Sequence, residues 1–128
     1  MYGSVGREPV NPGQRYPARN GGLRVLLAND PRSYRESIAA VFRQLRPEIE
    51  VEVADPEALE SCVDRFSPHV AICSRITGEV RERVPVWVEL YPEHGSRSVA
   101  SEGGKRTEFA EIQLGDLLSI LDRAAGSA

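Results

Sequence analysis

The chain has 128 residues, of which 41% are hydrophobic and 27% charged, and its formal net charge is −3. This length fits one domain, and the acidic balance disfavours general binding to nucleic acids. No apolar run approaches the roughly 18 residues of a membrane span, and the N-terminus lacks the apolar core of a signal peptide. The two cysteines, Cys62 and Cys73, are too few for a disulfide scaffold and lack the spacing of metal ligands. We therefore expect a cytoplasmic protein of one domain.

Residues 1–22 differ in composition from the rest of the chain. They are rich in Gly and Pro and hold almost no aliphatic side chains. Such a segment cannot bury enough apolar surface to offset the entropy lost on ordering. We expect a flexible N-terminal tail over 1–22 and one folded domain over 23–128.

The first half of that domain alternates between strand and helix patterns. The apolar run at 23–28 predicts a buried strand, and the Asp-Pro pair that follows it predicts the start of a helix with an apolar stripe over 34–45. Apolar and acidic residues alternate over 49–53, which predicts a strand with one wet face. A second Asp-Pro pair opens a helix over 55–66, and the apolar run at 70–73 predicts a third buried strand.

The second half has weaker patterns. We expect one or two helical turns within 76–83, a strand over 86–90, and a closing amphipathic helix around 114–121. Segments 97–101 and 105–109 are predicted to be short strands joined by a Glu-Gly-Gly-Lys turn, as in a β-hairpin. The alternation of strands and helices predicts an α/β fold with a parallel sheet, in which ligands bind outside the carboxyl ends of the strands.

The first half resembles the receiver domains of two-component response regulators. Residues 23–30 and 34–36 are similar to that family's first strand, acidic pair and first helix, and 46–51 to the approach to its second strand. Residues 66–74 resemble its third strand, which a Pro precedes and a phospho-accepting Asp ends. The resemblance covers about residues 23–75 and implies a flavodoxin-like or receiver-like parallel sheet with flanking helices. The remaining chain is shorter than the family's domains, which implies that a helix–strand unit around the fourth helix is missing or remodelled.

The resemblance also implies that the family's chemistry is lost. In receivers an acidic pair and the acceptor Asp hold Mg²⁺, and a Lys after the fifth strand contacts the phosphoryl group. The matching positions here are Asn29, Asp30 and Ser74, so one carboxylate remains of three, and Lys105, the only Lys, lies too early. We therefore expect a degenerate, pseudo-receiver-like pocket formed by Asn29, Asp30, Ser74 and Arg75. It would hold no metal or cofactor and accept no phosphoryl group.

The pocket residues also have local explanations. Asp30 is placed to cap the helix after it, Asn29 and Ser74 to bond nearby backbone, and Arg75 to form a surface ion pair. Fifteen of the sixteen basic residues are arginines, scattered among glutamates, so we expect them on the solvated surface. The two histidines lie too far apart for a catalytic or zinc pair. We therefore expect no catalytic residue and no enzyme.

Trp87 and Tyr91 are the candidate partner surface. They lie two pleats apart on one face of the predicted fourth strand, and without a covering helix they would form an exposed apolar patch. We expect a non-phosphorylatable receiver-like module that acts in signal transduction or regulation by contact with a protein, a second copy of itself included. No nucleic-acid or membrane partner is expected. The alternative is a small-ligand sensor, in which Asn29, Ser74 and Arg75 line an anion or nucleotide site.

Overall fold

The computed structural model describes residues 22–90 and 97–127, so the predicted tail falls almost wholly outside the described residues. These residues form an α/β fold with one six-stranded mixed sheet and four α-helices. The strands are β1 (Arg24–Ala28), β2 (Glu50–Val53), β3 (Val70–Cys73), β4 (Val86–Glu89), β5 (Ser98–Glu102) and β6 (Lys105–Phe109). The helices are α1 (Arg32–Leu45), α2 (Leu59–Phe66), α3 (Gly78–Arg83) and α4 (Leu114–Ser127), and a 3₁₀ turn (Pro56–Ala58) leads into α2.

The sheet has the strand order β2-β1-β3-β4-β5-β6. The first four strands are parallel, whereas β5 pairs antiparallel with β4 and β6 antiparallel with β5. The expected parallel arrangement therefore holds for the first four strands, and the hairpin, whose pairing the sequence left open, joins the sheet antiparallel to β4. The reason is the length of the connection, since a parallel crossover takes a dozen or more residues. Only residues 90–97 separate β4 from β5.

The predicted hairpin is confirmed, and it belongs to the same sheet. Glu102 faces Lys105 across a two-residue turn, in which Gly103 has a φ of 59° and Gly104 a φ of 90°. Two successive positive φ angles define the type I′ turn, whose twist matches that of antiparallel strands and which favours glycine at both positions.

The core has two parts, one on each face of the sheet. Side chains alternate along β1, so that Val25 and Leu27 pack with α1 and α4, while Leu26 and Ala28 pack with α2 and α3. Strands buried on both faces explain the nearly continuous apolar runs of the sequence. Among the described residues, no helix has both the length and the apolar character that crossing a membrane requires.

Gly22, the first of the described residues, makes a close backbone contact. A Cβ atom added to Gly22 would lie 2.2 Å from the carbonyl oxygen of Glu48. No side chain fits at that distance, so the backbone at Gly22 packs directly against the turn before β2. Position 22 therefore requires a glycine.

Candidate functional site

A cleft of about 640 Å³ lies at the carboxyl ends of β1 and β3. This is the edge of a parallel sheet at which α/β proteins bind ligands. Three of the four predicted pocket residues line it, namely Asp30, Ser74 and Arg75. The other lining residues are Ala28, Pro31, Pro56, Glu57, Leu59 and Thr77.

Ser74 joins the ends of the two strands. Its Oγ accepts a hydrogen bond of 2.8 Å from the backbone N–H of Asp30. Ser74 was expected to bond the backbone of its own turn, whereas this bond comes from the segment that follows β1, 44 positions away. A hydroxyl in this position has a structural partner, and none of the described contacts gives it a base that would activate it as a nucleophile.

Asn29 does not line the cleft. Its side chain is fully buried, and neither its Oδ1 nor its Nδ2 has a hydrogen-bond partner among the described residues. The expectation that this side chain bonds nearby backbone is therefore wrong. Buried polar atoms without partners are uncommon in folded proteins, which makes Asn29 an unusual feature of the site.

Arg35 is the residue at this site that sequence reasoning missed. It lies on α1 and is 3% exposed, in contrast to the solvated position expected of the arginines. Its Nη1 donates to the carbonyl oxygen of Asn29 at 3.2 Å and lies 3.4 Å from a carboxylate oxygen of Asp30. Its Nη2 donates to Asp55 at 2.5 Å. The guanidinium thus connects the segment after β1 with the segment after β2.

The buried position of Arg35 has a signal in the sequence. Ile38 and Phe42 follow Arg35 by three and seven residues, so the three lie on one face of α1, and all three are buried. An arginine on the apolar face of a helix needs an acidic partner, because an unpaired buried charge is very unfavourable. The pattern indicates burial, but it does not say which acids pair with Arg35.

The pairing with Arg35 changes the role expected for Asp30. The helix begins at Arg32, its N-cap is Pro31, and no side chain caps it. The expected capping role of Asp30 is therefore wrong, because the carboxylate faces Arg35 instead. Asp55 occupies the predicted cap position before Pro56, but it too makes no capping bond and binds Arg35.

The Arg35 guanidinium therefore offsets part of the negative charge at this edge. Asp30 and Asp55 are both in contact with the Arg35 guanidinium. Within the described residues, no group of three or more His, Cys, Asp or Glu side chains is placed to hold a metal ion. On the rim, Arg75 is exposed, and the Thr77 hydroxyl caps α3 by accepting from the N–H of Val80 at 3.3 Å.

The candidate partner surface at Trp87 is not exposed. Trp87 is 5% accessible, and the guanidinium carbons of Arg81 and Arg106 lie 5.8 and 5.4 Å from the centroid of its ring. The expectation of an exposed apolar patch is wrong for Trp87, because the residue belongs to the core cluster that side chains of α2 and α3 complete, and the two arginines lie over its ring. Tyr91 lies outside the described residues.

The remaining titratable candidates have structural environments. Burial raises the pKa of the Cys73 thiol to about 12, so it is a small apolar residue rather than a nucleophile. His69 accepts a hydrogen bond of 2.9 Å from the backbone N–H of Arg24, and burial lowers its pKa. His94, the other histidine, lies outside the described residues. No family model, no curated protein and no solved structure matches this chain.

Proposed function

We propose that the chain is a cytoplasmic receiver-like module that accepts no phosphoryl group and acts in signalling or regulation by contact with a protein. The observation that carries this proposal is the Arg35 guanidinium, buried against Asp30 and Asp55. Receivers place acidic residues at this edge of the sheet to hold Mg²⁺. Here a cation of the protein itself occupies the acidic cluster.

The strand order supports a receiver-like arrangement. The parallel strands run β2-β1-β3-β4, and the flavodoxin-like order 2-1-3-4-5 begins in the same way. We infer that the antiparallel hairpin of β5 and β6 replaces the fourth helix and fifth strand of a receiver. In this interpretation the hairpin stands where a receiver carries its switch residues. The strands β1 and β3, whose ends form the cleft, keep the receiver-like arrangement.

The chemistry of the pocket supports the loss of phosphoryl transfer. Asn29 and Ser74 are neutral where a receiver has carboxylates, and Asp30 already holds Arg35. A divalent cation at Asp30 would lie close to the Arg35 guanidinium, whose positive charge weakens its attraction to that carboxylate. Without an acceptor carboxylate there is no nucleophile to form an acyl phosphate. Without the metal ion, the charge of the transferred phosphoryl group is not stabilised.

The test is a titration of the folded chain with Mg²⁺ and a beryllofluoride phosphoryl mimic, followed by amide NMR shifts. We expect no saturable shifts in the unaltered chain. Saturable shifts clustered at Asn29, Asp30 and Ser74 would overturn the proposal. The matched variants are Asn29→Asp/Ser74→Asp with and without Arg35→Gln. Mg²⁺ should bind well only to the triple variant, in which both acids are restored and Arg35 is replaced. If the triple variant is folded but does not bind Mg²⁺, the idea of a receiver-type pocket is refuted.

A small-ligand sensor is the second candidate function, and the volume of the cleft favours it. About 640 Å³ falls within the range of small-molecule sites. Arg75 supplies a cation at the rim, but Asp30 and Glu57 line the same cleft and oppose an anion. A thermal-shift screen with nucleotides and inorganic anions tests this function. Stabilisation that grows with ligand concentration and is lost in Arg75→Ala would support it, and its absence would exclude it.

A further inference from the structure

Among the described residues, β6 forms one of the two edges of the sheet. β6 pairs with β5 on one side, and no described strand pairs with its other side. Its first four residues are exposed, and Phe109 is partly buried. An edge strand presents a row of unpaired N–H and C=O groups, which can pair with another strand.

The hairpin turn determines which backbone groups face outward. In a two-residue turn the N–H of Lys105 bonds to the carbonyl of Glu102, so Lys105 directs its backbone groups towards β5. The direction alternates along an antiparallel strand, and Thr107 and Phe109 therefore also face β5. Arg106 and Glu108 direct their N–H and C=O groups away from β5, towards the open edge of the sheet.

Charge then selects one way in which this edge can pair with itself. We propose that β6 pairs antiparallel with β6 of a second copy of this chain, with Thr107 on the two-fold axis. Only registers that pair outward-facing residues with outward-facing residues form hydrogen bonds. Centring on Arg106 or on Glu108 would pair like charges, whereas centring on Thr107 sets Arg106 opposite Glu108 of the second copy.

The geometry of this register is self-complementary. The two pairs formed by Arg106 and Glu108 are hydrogen-bonded pairs, so they contribute about four backbone hydrogen bonds across the axis. Their side chains lie on one face of the strand, where Glu108 already accepts from Arg97 at 3.0 Å. On the other face, Lys105 lies opposite Phe109 of the second copy, which allows a cation–π contact.

The opposite edge of the sheet lacks this complementarity. The charged residues of β2 are Glu50 and Glu52, and pairing of that strand with itself about Val51 sets them against each other. Like charges directly opposite each other are destabilising in antiparallel sheets. The second copy is therefore expected at β6 and not at β2. The contact is small, so the dimer is weak and in exchange with the monomer.

Charge reversal tests the register directly, with sedimentation velocity over a range of concentrations as the assay. Arg106→Glu and Glu108→Arg each replace two attractive pairs with two repulsive ones, and each should weaken dimerisation at least about tenfold. The double variant restores both attractive pairs and should dimerise again. Mixing the two single variants should give a heterodimer, since each supplies the charge that the other lacks.

Arg81→Glu is the matched control. Arg81 also lies over Trp87, but it belongs to α3 and not to the edge strand. Arg81→Glu should expose the Trp87 ring as much as Arg106→Glu does, but it should leave the dimerisation constant unchanged. Circular dichroism confirms that each variant is folded, so that lost association is not mistaken for unfolding.

Amide hydrogen exchange provides the second measurement. As the protein concentration rises, the N–H groups of Arg106 and Glu108 should gain protection, and those of Lys105 and Thr107 should not change. An unaltered chain that stays monomeric to about 1 mM would overturn the proposal, as would dimerisation equal in all charge variants. The interface shares no residue with the cleft, so its failure is distinguishable from saturable Mg²⁺ binding there.

Discussion

Replacing Arg35 with Met separates two accounts of the buried ion pair. The Arg35 side chain is 4% exposed, whereas those of Asp30 and Asp55 are 64% and 70% exposed. Without the guanidinium, both carboxylates can still be hydrated. The loss is then one or two charge-assisted hydrogen bonds, or about 1–2 kcal/mol in the free energy of unfolding.

Removing the acids should be worse than removing the base. Asp30→Ala/Asp55→Ala leaves the guanidinium buried, with only the Asn29 carbonyl at 3.2 Å as a described hydrogen-bond partner. Stranding a buried charge in this way typically lowers stability by about 3–5 kcal/mol. The acidic double variant should therefore unfold at clearly lower urea concentration than Arg35→Met.

Urea unfolding followed by circular dichroism measures both effects, with the free energy of unfolding extrapolated to water. Arg32→Met is the matched control on the same helix. Arg32 pairs with Glu36 on the surface, where its side chain is 77% exposed, so its loss should change the midpoint little. If Arg35→Met proves as destabilising as the double variant, then hydration of the exposed carboxylates does not limit the loss of stability, and the reasoning is refuted.

Two further predictions concern packing and protonation. Gly22→Ala should lower the free energy of unfolding by about 1–3 kcal/mol, because its Cβ would overlap the Glu48 carbonyl, while Gly78→Ala, which meets open space, should be neutral or slightly stabilising. Equal effects of the two substitutions on the thermal midpoint would contradict the packing described for Gly22. Burial lowers the pKa of His69 below its ordinary 6.5, so the unfolded chain binds the proton first and stability should fall as the pH drops below 6.5. Urea midpoints at about pH 7.5 and about pH 5 measure this loss of stability, and the midpoint of His69→Asn should fall less between them. An equal fall in both proteins would assign the pH dependence to other groups.

The parts of the fold predicted from sequence are those that local patterns determine. The apolar run of β1 and the stripe of α1 reflect the spacing of side chains that must face the core. The hairpin follows from the two adjacent glycines, Gly103 and Gly104, which adopt the positive φ angles of its turn. These elements were identified to within a residue or two because their signals lie within a few positions of one another.

The features that were missed depend on contacts between distant parts of the chain. Arg35 and Asp55 are 20 positions apart and meet only because β1 and β2 end at the same edge of the sheet. Asp30 and Arg35 are only five positions apart, but the burial of this face of α1 against the sheet decides that the carboxylate meets the guanidinium and not the helix N-terminus. Local capping preference places the helix start one residue early, with Asp30 as the N-cap where the structure has Pro31, and it cannot predict that a buried cation takes the Asp30 carboxylate.

Trp87 shows why an aromatic residue on a predicted strand does not by itself indicate a partner surface. The sequence pattern does not say which side chains of other elements pack against the ring. Here Arg81 approaches the ring from α3 and Arg106 from β6, and their aliphatic stems and guanidinium planes can shield it while the charges stay in water. The two arginines thus add a polar cover to a ring that the core cluster already buries. Arg106 is also the residue that pairs with Glu108 of the second copy in the proposed dimer. Its side chain therefore has two possible partners on the same face of β6, and dimerisation should change the environment of the Trp87 ring, which tryptophan fluorescence can measure.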